Sequence, residues 1–213
     1  MYRCEATSVQ GFVQQLAVSY VGRGYWFYVA GSIPEGKDPQ ITDEKLIEKY
    51  GIDISKWARA RRRRTGLASM QYLRFGRFFV LLATVGEHPF FAEERDIRDI
   101  RRFPIRFYGY SVSYRPGRDE RWHASVRIDA AEFGVLKARF LRIALTGSVE
   151  FLVSQLRALR FAPYAPVRMQ YRQLLRALNR KRGLASLELL SAGILPAGRR
   201  VVAPFKETGA TGQ

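Results

Sequence analysis

MQYLRFGRFFVLLAT, residues 70–84, decides the fold. Two apolar, aromatic-rich runs, Met70–Phe75 and Phe78–Thr84, flank Gly76-Arg77. Each run has strand length and strand composition, and a two-residue loop led by glycine suits a type II′ turn. A β-hairpin is therefore expected at the centre of the first half of the chain. A second hairpin follows, with Ile105–Tyr114 and Arg121–Ile128 joined by Pro116-Gly117-Arg118-Asp119. Its last strand alternates strictly. Trp122, Ala124, Val126 and Ile128 are expected on one face, and Arg121, His123, Ser125 and Arg127 on the other. Glu87–Arg102, between the hairpins, is charged and reads as a short helix at best.

Outside the hairpins the period changes to helical. Ser8 caps a helix to about Val21, with Val9, Phe12, Val13, Leu16, Ala17, Tyr20 and Val21 on its buried stripe. Tyr25–Ala30 reads as an aromatic strand after it. Thr42 is expected to cap a helix from Asp43 to Tyr50, and Ser55 a second through Arg64, a pair arranged like a helix-turn-helix. Past the second hairpin, Asp129 and Glu132 suggest a capping box for a helix to about Leu145. Helices at 149–159 and 166–182 follow, the last opened by Pro166 and stopped by Gly183. A short strand is expected at Arg200–Phe205.

This order is that of an α+β protein: an antiparallel sheet of about five strands with helices on one face, followed by a basic helical region. The expected division is a sheet domain at 1–130 with a basic helical pair inserted at 42–65, a helical region at 131–205, and a disordered tail at 206–213.

Charge carries the functional signal. The 213 residues hold 36 Lys+Arg against 19 Asp+Glu, a net charge of +17. Arg outnumbers Lys 29 to 7, which favours bidentate phosphate contact but equally fits a GC-rich coding sequence. Residues 133–213 alone hold 14 bases and 3 acids. Within them Arg168, Arg172, Arg176 and Arg180 recur every fourth residue, one stripe on a helix. Like charges at that spacing destabilise an isolated helix, and a polyanion supplies the missing counter-charge. Lys56, Arg59, Arg61, Arg62, Arg63 and Arg64 form a second cationic helix with no acid of its own. Arg121, His123 and Arg127, with tyrosines from the neighbouring strand in one of two possible registers, would make an aromatic-basic sheet face of the kind that stacks bases. Those two arginines are expected to keep the His123 imidazole neutral.

The expectation is a nucleic-acid-binding protein without catalytic activity, RNA slightly favoured over DNA, working beside a larger protein or nucleoprotein complex. The alternative is a metal-dependent nuclease or strand-transfer enzyme. Its candidates are His123 with Arg121, Ser125 and Arg127, or the carboxylates Glu93, Glu94, Asp96 and Asp99 holding Mg²⁺. Interleaved Arg95, Arg98, Arg101 and Arg102 suit those acids equally well as ion-pair partners. No other cofactor is expected. Phosphate-binding loop, dinucleotide fingerprint, Gly-x-Ser-x-Gly elbow and His-hydrophobe-His pair are all missing. Cys4 is the only cysteine, so no internal disulfide forms and a reducing cytoplasm fits. Residues 1–20 do not have the pattern of a secretory signal, and the longest apolar run, Phe78–Val85, is too short to cross a bilayer.

Overall fold

A computed structural model of the chain describes residues 2–117 and 119–206. Ser8 caps α1 (Val9–Gln14), accepting from the Gly11 amide at 3.0 Å. The helix then widens into a six-residue π-helical turn, Gln15–Tyr20, and closes with a 3-10 turn at Val21–Arg23. Strand β1 (Phe27–Ser32) follows. Next, α2 (Pro39–Lys49) is capped by Asp38 with Pro39 in its first turn, so it begins one turn before Thr42. The Asp-Pro pair is the stronger start signal, because proline has no amide to satisfy there. Three acids offset two lysines in this helix, so only its successor α3 (Lys56–Arg64) is basic.

The hairpin forms as the sequence requires. β2 (Met70–Phe75) and β3 (Phe78–Ala83) pair antiparallel with Phe75 opposite Phe78. Gly76 takes the positive φ of +57° that the first turn position needs. Within the charged segment 87–102, where a short helix at best is expected, the short helix α4 (Phe90–Glu93) forms and is followed by a two-residue strand, β4 (Arg98–Asp99). β5 (Ile105–Phe107), β6 (Tyr110–Pro116) and β7 (Trp122–Ile128) complete the strands. The helices α5 (Ala130–Ile143), α6 (Val149–Arg157) and α7 (Ala165–Leu184) end the regular structure.

The molecule is α+β, but its strands form two sheets rather than one of about five. The first has four strands in the order β2-β3-β1-β4, and the second three in the order β5-β6-β7. Helices cover both faces of the central hairpin, not one. Met70, Tyr72, Leu81 and Ala83 pack with Tyr50, Ile52, Phe90 and Cys4. On the opposite face Phe78 meets the Phe12 ring of α1 edge-on at 5.8 Å. That double coverage is why nearly every residue of β2 and β3 is buried rather than every second one.

The chain divides into two compact units. One takes the chain up to residue 105, residues 112–125 and the segment from 201 on; the other takes 106–111 and 126–200. In the first, the N-terminal segment runs parallel to β2, with amide bonds from Ala6 to Arg74 and from Arg74 to Cys4. The segment expected as a strand at 200–205 forms no strand. Gln14 brackets Val202 instead, donating to its carbonyl at 2.7 Å and accepting its amide at 3.1 Å. Of the expected tail, residues 207–213 lie outside the described residues.

In the second unit, Phe140, Ala144, Leu152, Leu156, Leu174, Leu175, Leu178 and Leu190 form the core between α5, α6 and α7. Asp129 caps α5 through the Ala131 amide. The capping box does not close, because the Asp129 amide is taken by the Gly109 carbonyl and Glu132 pairs with Arg160. Gly183 does not stop α7 either. The helix runs to Leu184 and ends in a Schellman motif with Ser186 at φ +55°. There the Leu187 amide bonds to the Arg182 carbonyl and the Ser186 amide to that of Gly183.

Candidate nucleic-acid interface

The α7 stripe forms as expected. Its apolar face buries Val167, Tyr171, Leu174, Leu175 and Leu178, which leaves Arg172, Arg176 and Arg180 exposed. Arg168 is half-buried and donates to the Pro163 carbonyl at 3.0 Å. Among the described residues no acid pairs with any of the four. Arg168, Arg172 and Arg176 border a groove of about 570 Å³ whose apolar lining includes Tyr171, Leu175, Leu190 and Leu195. Arg182, on the same helix, has a structural task. It is buried and donates to the carbonyls of Ala144, Gly147 and Glu188.

In the other unit, α3 keeps all six cations free of acidic partners among the described residues. They divide by what they touch. Arg59 donates to the Ile52 carbonyl and Arg62 to that of Ala68, while Arg63 reaches the Arg23 carbonyl. Arg61 and Arg64 are exposed, on the same side of the helix as Trp57 by spacing. Trp57 is 79% exposed, the most open aromatic side chain described. Gly66, at φ +79°, ends the helix in a Schellman motif, through Leu67 to Arg62 and Gly66 to Arg63.

The aromatic-basic sheet face exists, but it is not the His123 face. His123 is exposed and its Nε2 lies 3.0 and 3.1 Å from the two carboxylate oxygens of Asp119. The imidazole thus has an anion beside it, a neighbour not among those expected from sequence, and contact with it holds the Asp119 carboxyl below its usual range. Arg127 is exposed, whereas Ser125 of the same expected face is buried. Arg121 precedes β7 and is exposed. The tyrosines also part company: Tyr110 is fully buried and Tyr108 is exposed with φ +46°.

Trp122 carries the aromatic surface instead. It is 48% exposed and stacks on Tyr114, centroids 5.7 Å apart and planes 28° apart. Tyr114 in turn lies 5.2 Å from the Trp26 ring. The Arg101 guanidinium sits over Trp26 at 4.8 Å, held by bidentate bonds to Asp99 of 2.7–3.0 Å. Those bonds lower the Asp99 pKa. Trp26, Tyr114, Trp122, Asp99, Arg101 and Arg102 line one cleft of about 700 Å³. The Trp26 indole Nε1 is shielded from solvent and has no hydrogen-bond partner among the described residues. The Arg101–Asp99 pair is one of the local ion pairs expected for this stretch, and Trp26 lies in the expected aromatic strand at 25–30. Their meeting with Tyr114 and Trp122 depends on contacts between segments far apart in sequence, which no local pattern shows.

The carboxylates of the enzymatic alternative do not share a site. Glu93 pairs with Lys49 at 3.0 Å, Glu94 accepts the Tyr50 hydroxyl, and Asp99 holds Arg101. Among the described residues, no group of three His, Cys, Asp or Glu side chains is placed to hold a metal ion. A different carboxylate, Asp43, is buried. It accepts from Arg74 Nε at 2.9 Å, from the Tyr72 hydroxyl and from the Cys4 thiol. Burial and the Asp43 charge push the Cys4 thiol up to about 12, so this cysteine is a hydrogen-bond donor rather than a nucleophile.

No family model, curated protein or solved structure matches this chain. No described helix is long and apolar enough to cross a membrane.

Proposed function

We propose that this chain is a non-enzymatic nucleic-acid-binding protein that engages unpaired bases. The observation that carries the proposal is the Arg101–Trp26–Tyr114–Trp122 stack. It ends in a half-exposed indole over an open cleft lined by two arginines. A base laid on Trp122 extends a stack already in place, so little side-chain ordering remains to be done on binding. Base–aromatic stacking is worth about 1–3 kcal/mol per base and tolerates any sequence.

Phosphates are held by Arg172, Arg176 and Arg180 of α7 and by the cations of α3. Trp57 beside Arg61 and Arg64 makes a second place to stack. RNA is favoured over DNA, because single strands and loops with splayed bases suit such platforms. A cytoplasmic setting and a place within a larger nucleoprotein complex belong to the same proposal, which rests on the exposed cations of α3 and α7. Binding of single-stranded and duplex forms of one sequence, as RNA and as DNA, tests this directly. Single strands should bind more tightly, with quenching of tryptophan fluorescence. Trp122→Ala should cost about 1–3 kcal/mol on single strands and little on duplex. Equal loss on both, or a duplex preference, would overturn the stacking role.

A further inference from the structure

Beside α3, within the first unit, lies a second and more polar pocket of about 510 Å³. Arg3, Arg23, Lys56, Arg59 and Arg63 line it against a single carboxylate, Asp53. None of the five pairs with an acid among the described residues. Arg59 is the innermost by its bonding: Nη2 is tied to the Ile52 carbonyl, and Nε is shielded from water yet has no partner. Leaving a buried charged donor unpaired is costly.

Hydroxyl-bearing side chains, Tyr2, Ser19, Tyr20 and Tyr25, share the lining. Tyr2 donates to Gln71 Oε1 at 2.7 Å, and Gln71 Nε2 donates to the Tyr25 hydroxyl oxygen at 3.2 Å, which leaves the Tyr25 proton as a donor. The Tyr20 hydroxyl lies 3.4 Å from that of Tyr2. Burial raises the pKa of both Tyr2 and Tyr20, so they stay phenols, but the Tyr2 proton is already directed at Gln71 Oε1 and the Tyr72 carbonyl, which leaves Tyr25 as the phenol able to donate into the pocket. Gln15, Ser19 and Tyr20 enter the wall from the π-helical turn. Such turns are rare and concentrate at functional sites.

We propose that this pocket binds a phosphomonoester. An internal phosphodiester carries one charge and is met by one or two cations along a groove. Five cations around one small pocket, with the Tyr25 hydroxyl as a neutral donor beside them, match a group with two charges and three terminal oxygens. The group is either the phosphorylated end of a strand or a free nucleotide. Only the strand-end form rests on the nucleic-acid function proposed above.

The test uses the full chain and a short single strand prepared with a 5′-phosphate, with a 3′-phosphate and with hydroxyl ends, alongside nucleoside 5′-monophosphate and inorganic phosphate. One phosphorylated strand should bind about tenfold or more tightly than the hydroxyl-ended one. Lys56→Ala with Arg63→Ala, both exposed positions, should erase that difference while thermal unfolding is unchanged. Arg59→Lys, which keeps charge and loses the fork, should reduce it. If no strand binds but the nucleoside monophosphate does, and the double variant abolishes it, the pocket stands and the nucleic-acid function falls. Equal binding of all strand ends with no binding of the monophosphate or of inorganic phosphate overturns the pocket. So does a phosphate preference that survives the double variant.

Discussion

His88 shows how a single side chain can tie stability to pH. Its Nδ1 accepts the Phe90 amide at 3.1 Å, a bond that requires the neutral ring. Burial, and then the Arg62 charge, lower its pKa below the ordinary 6.5. The unfolded chain therefore binds a proton more readily than the folded one as pH drops below about 6.5. The stabilisation is fully present above that value and is lost as pH falls through the lower, folded pKa. Urea midpoints measured from about pH 8 down to pH 5 should fall in the native protein and fall less in His88→Gln, which retains an acceptor. Parallel curves would mean that other groups set the slope. Asp43 and Arg74 illustrate a different arrangement, a buried ion pair in which Arg74 Nε meets the Asp43 carboxylate and Nη1 meets Glu5 and the Gly76 carbonyl.

Among the elements, the end of α7 offers the sharpest test of local geometry. Ser186 occupies the left-handed position of the Schellman motif, at φ +55°, where a Cβ costs about 1–2 kcal/mol and glycine costs almost none. Ser186→Gly should therefore raise stability by about 1 kcal/mol in chemical denaturation without altering binding. A loss of stability would mean that the serine side chain contributes a bond worth more than the strain. Gly183 looked like the helix stop because glycine usually takes that place; the chain instead passes three residues further before turning. Elements with dense local signals were legible in this way: the Gly76-Arg77 hairpin, the Ser8, Ser55 and Asp129 caps, and the α7 stripe. What was not legible is set by distant contacts. Strand β4 is two charged residues whose only mark is pairing with Phe27 and Tyr28. The split into two sheets depends on strand order, which no local pattern encodes. Trp122 follows the alternation with Val126 and Ile128, yet it lies near the hairpin tip, where the ring is half exposed and stacks on Tyr114. Aromatics and arginines on this hairpin were thus legible, while the structure gathers the aromatic rings around Trp122 and Tyr114 and sets His123 beside Asp119.

At the scale of the whole molecule the governing quantity is the net charge of +17. A chain that engages about 6–10 phosphates should lose about 10³–10⁵-fold in affinity between about 50 and 200 mM salt. Arg172 and Arg176 permit a clean dissection, because both are exposed, both lie along the α7 groove, and neither pairs with an acid among the described residues. Replacing both by alanine should weaken binding to every sequence alike and make the salt slope shallower by about two counterions. Stability should hold or improve slightly, since an i,i+4 pair of like charges costs about 0.2–0.5 kcal/mol. Trp122→Ala should behave differently in the same titration, lowering affinity while leaving the slope unchanged, because stacking releases no counterions. If the arginine pair leaves the slope intact, α7 does not contact phosphate and the cations of α3 must carry the binding. If Trp122→Ala changes the slope instead, the cleft is an electrostatic site and its aromatic stack is only scaffold for Arg101 and Arg102.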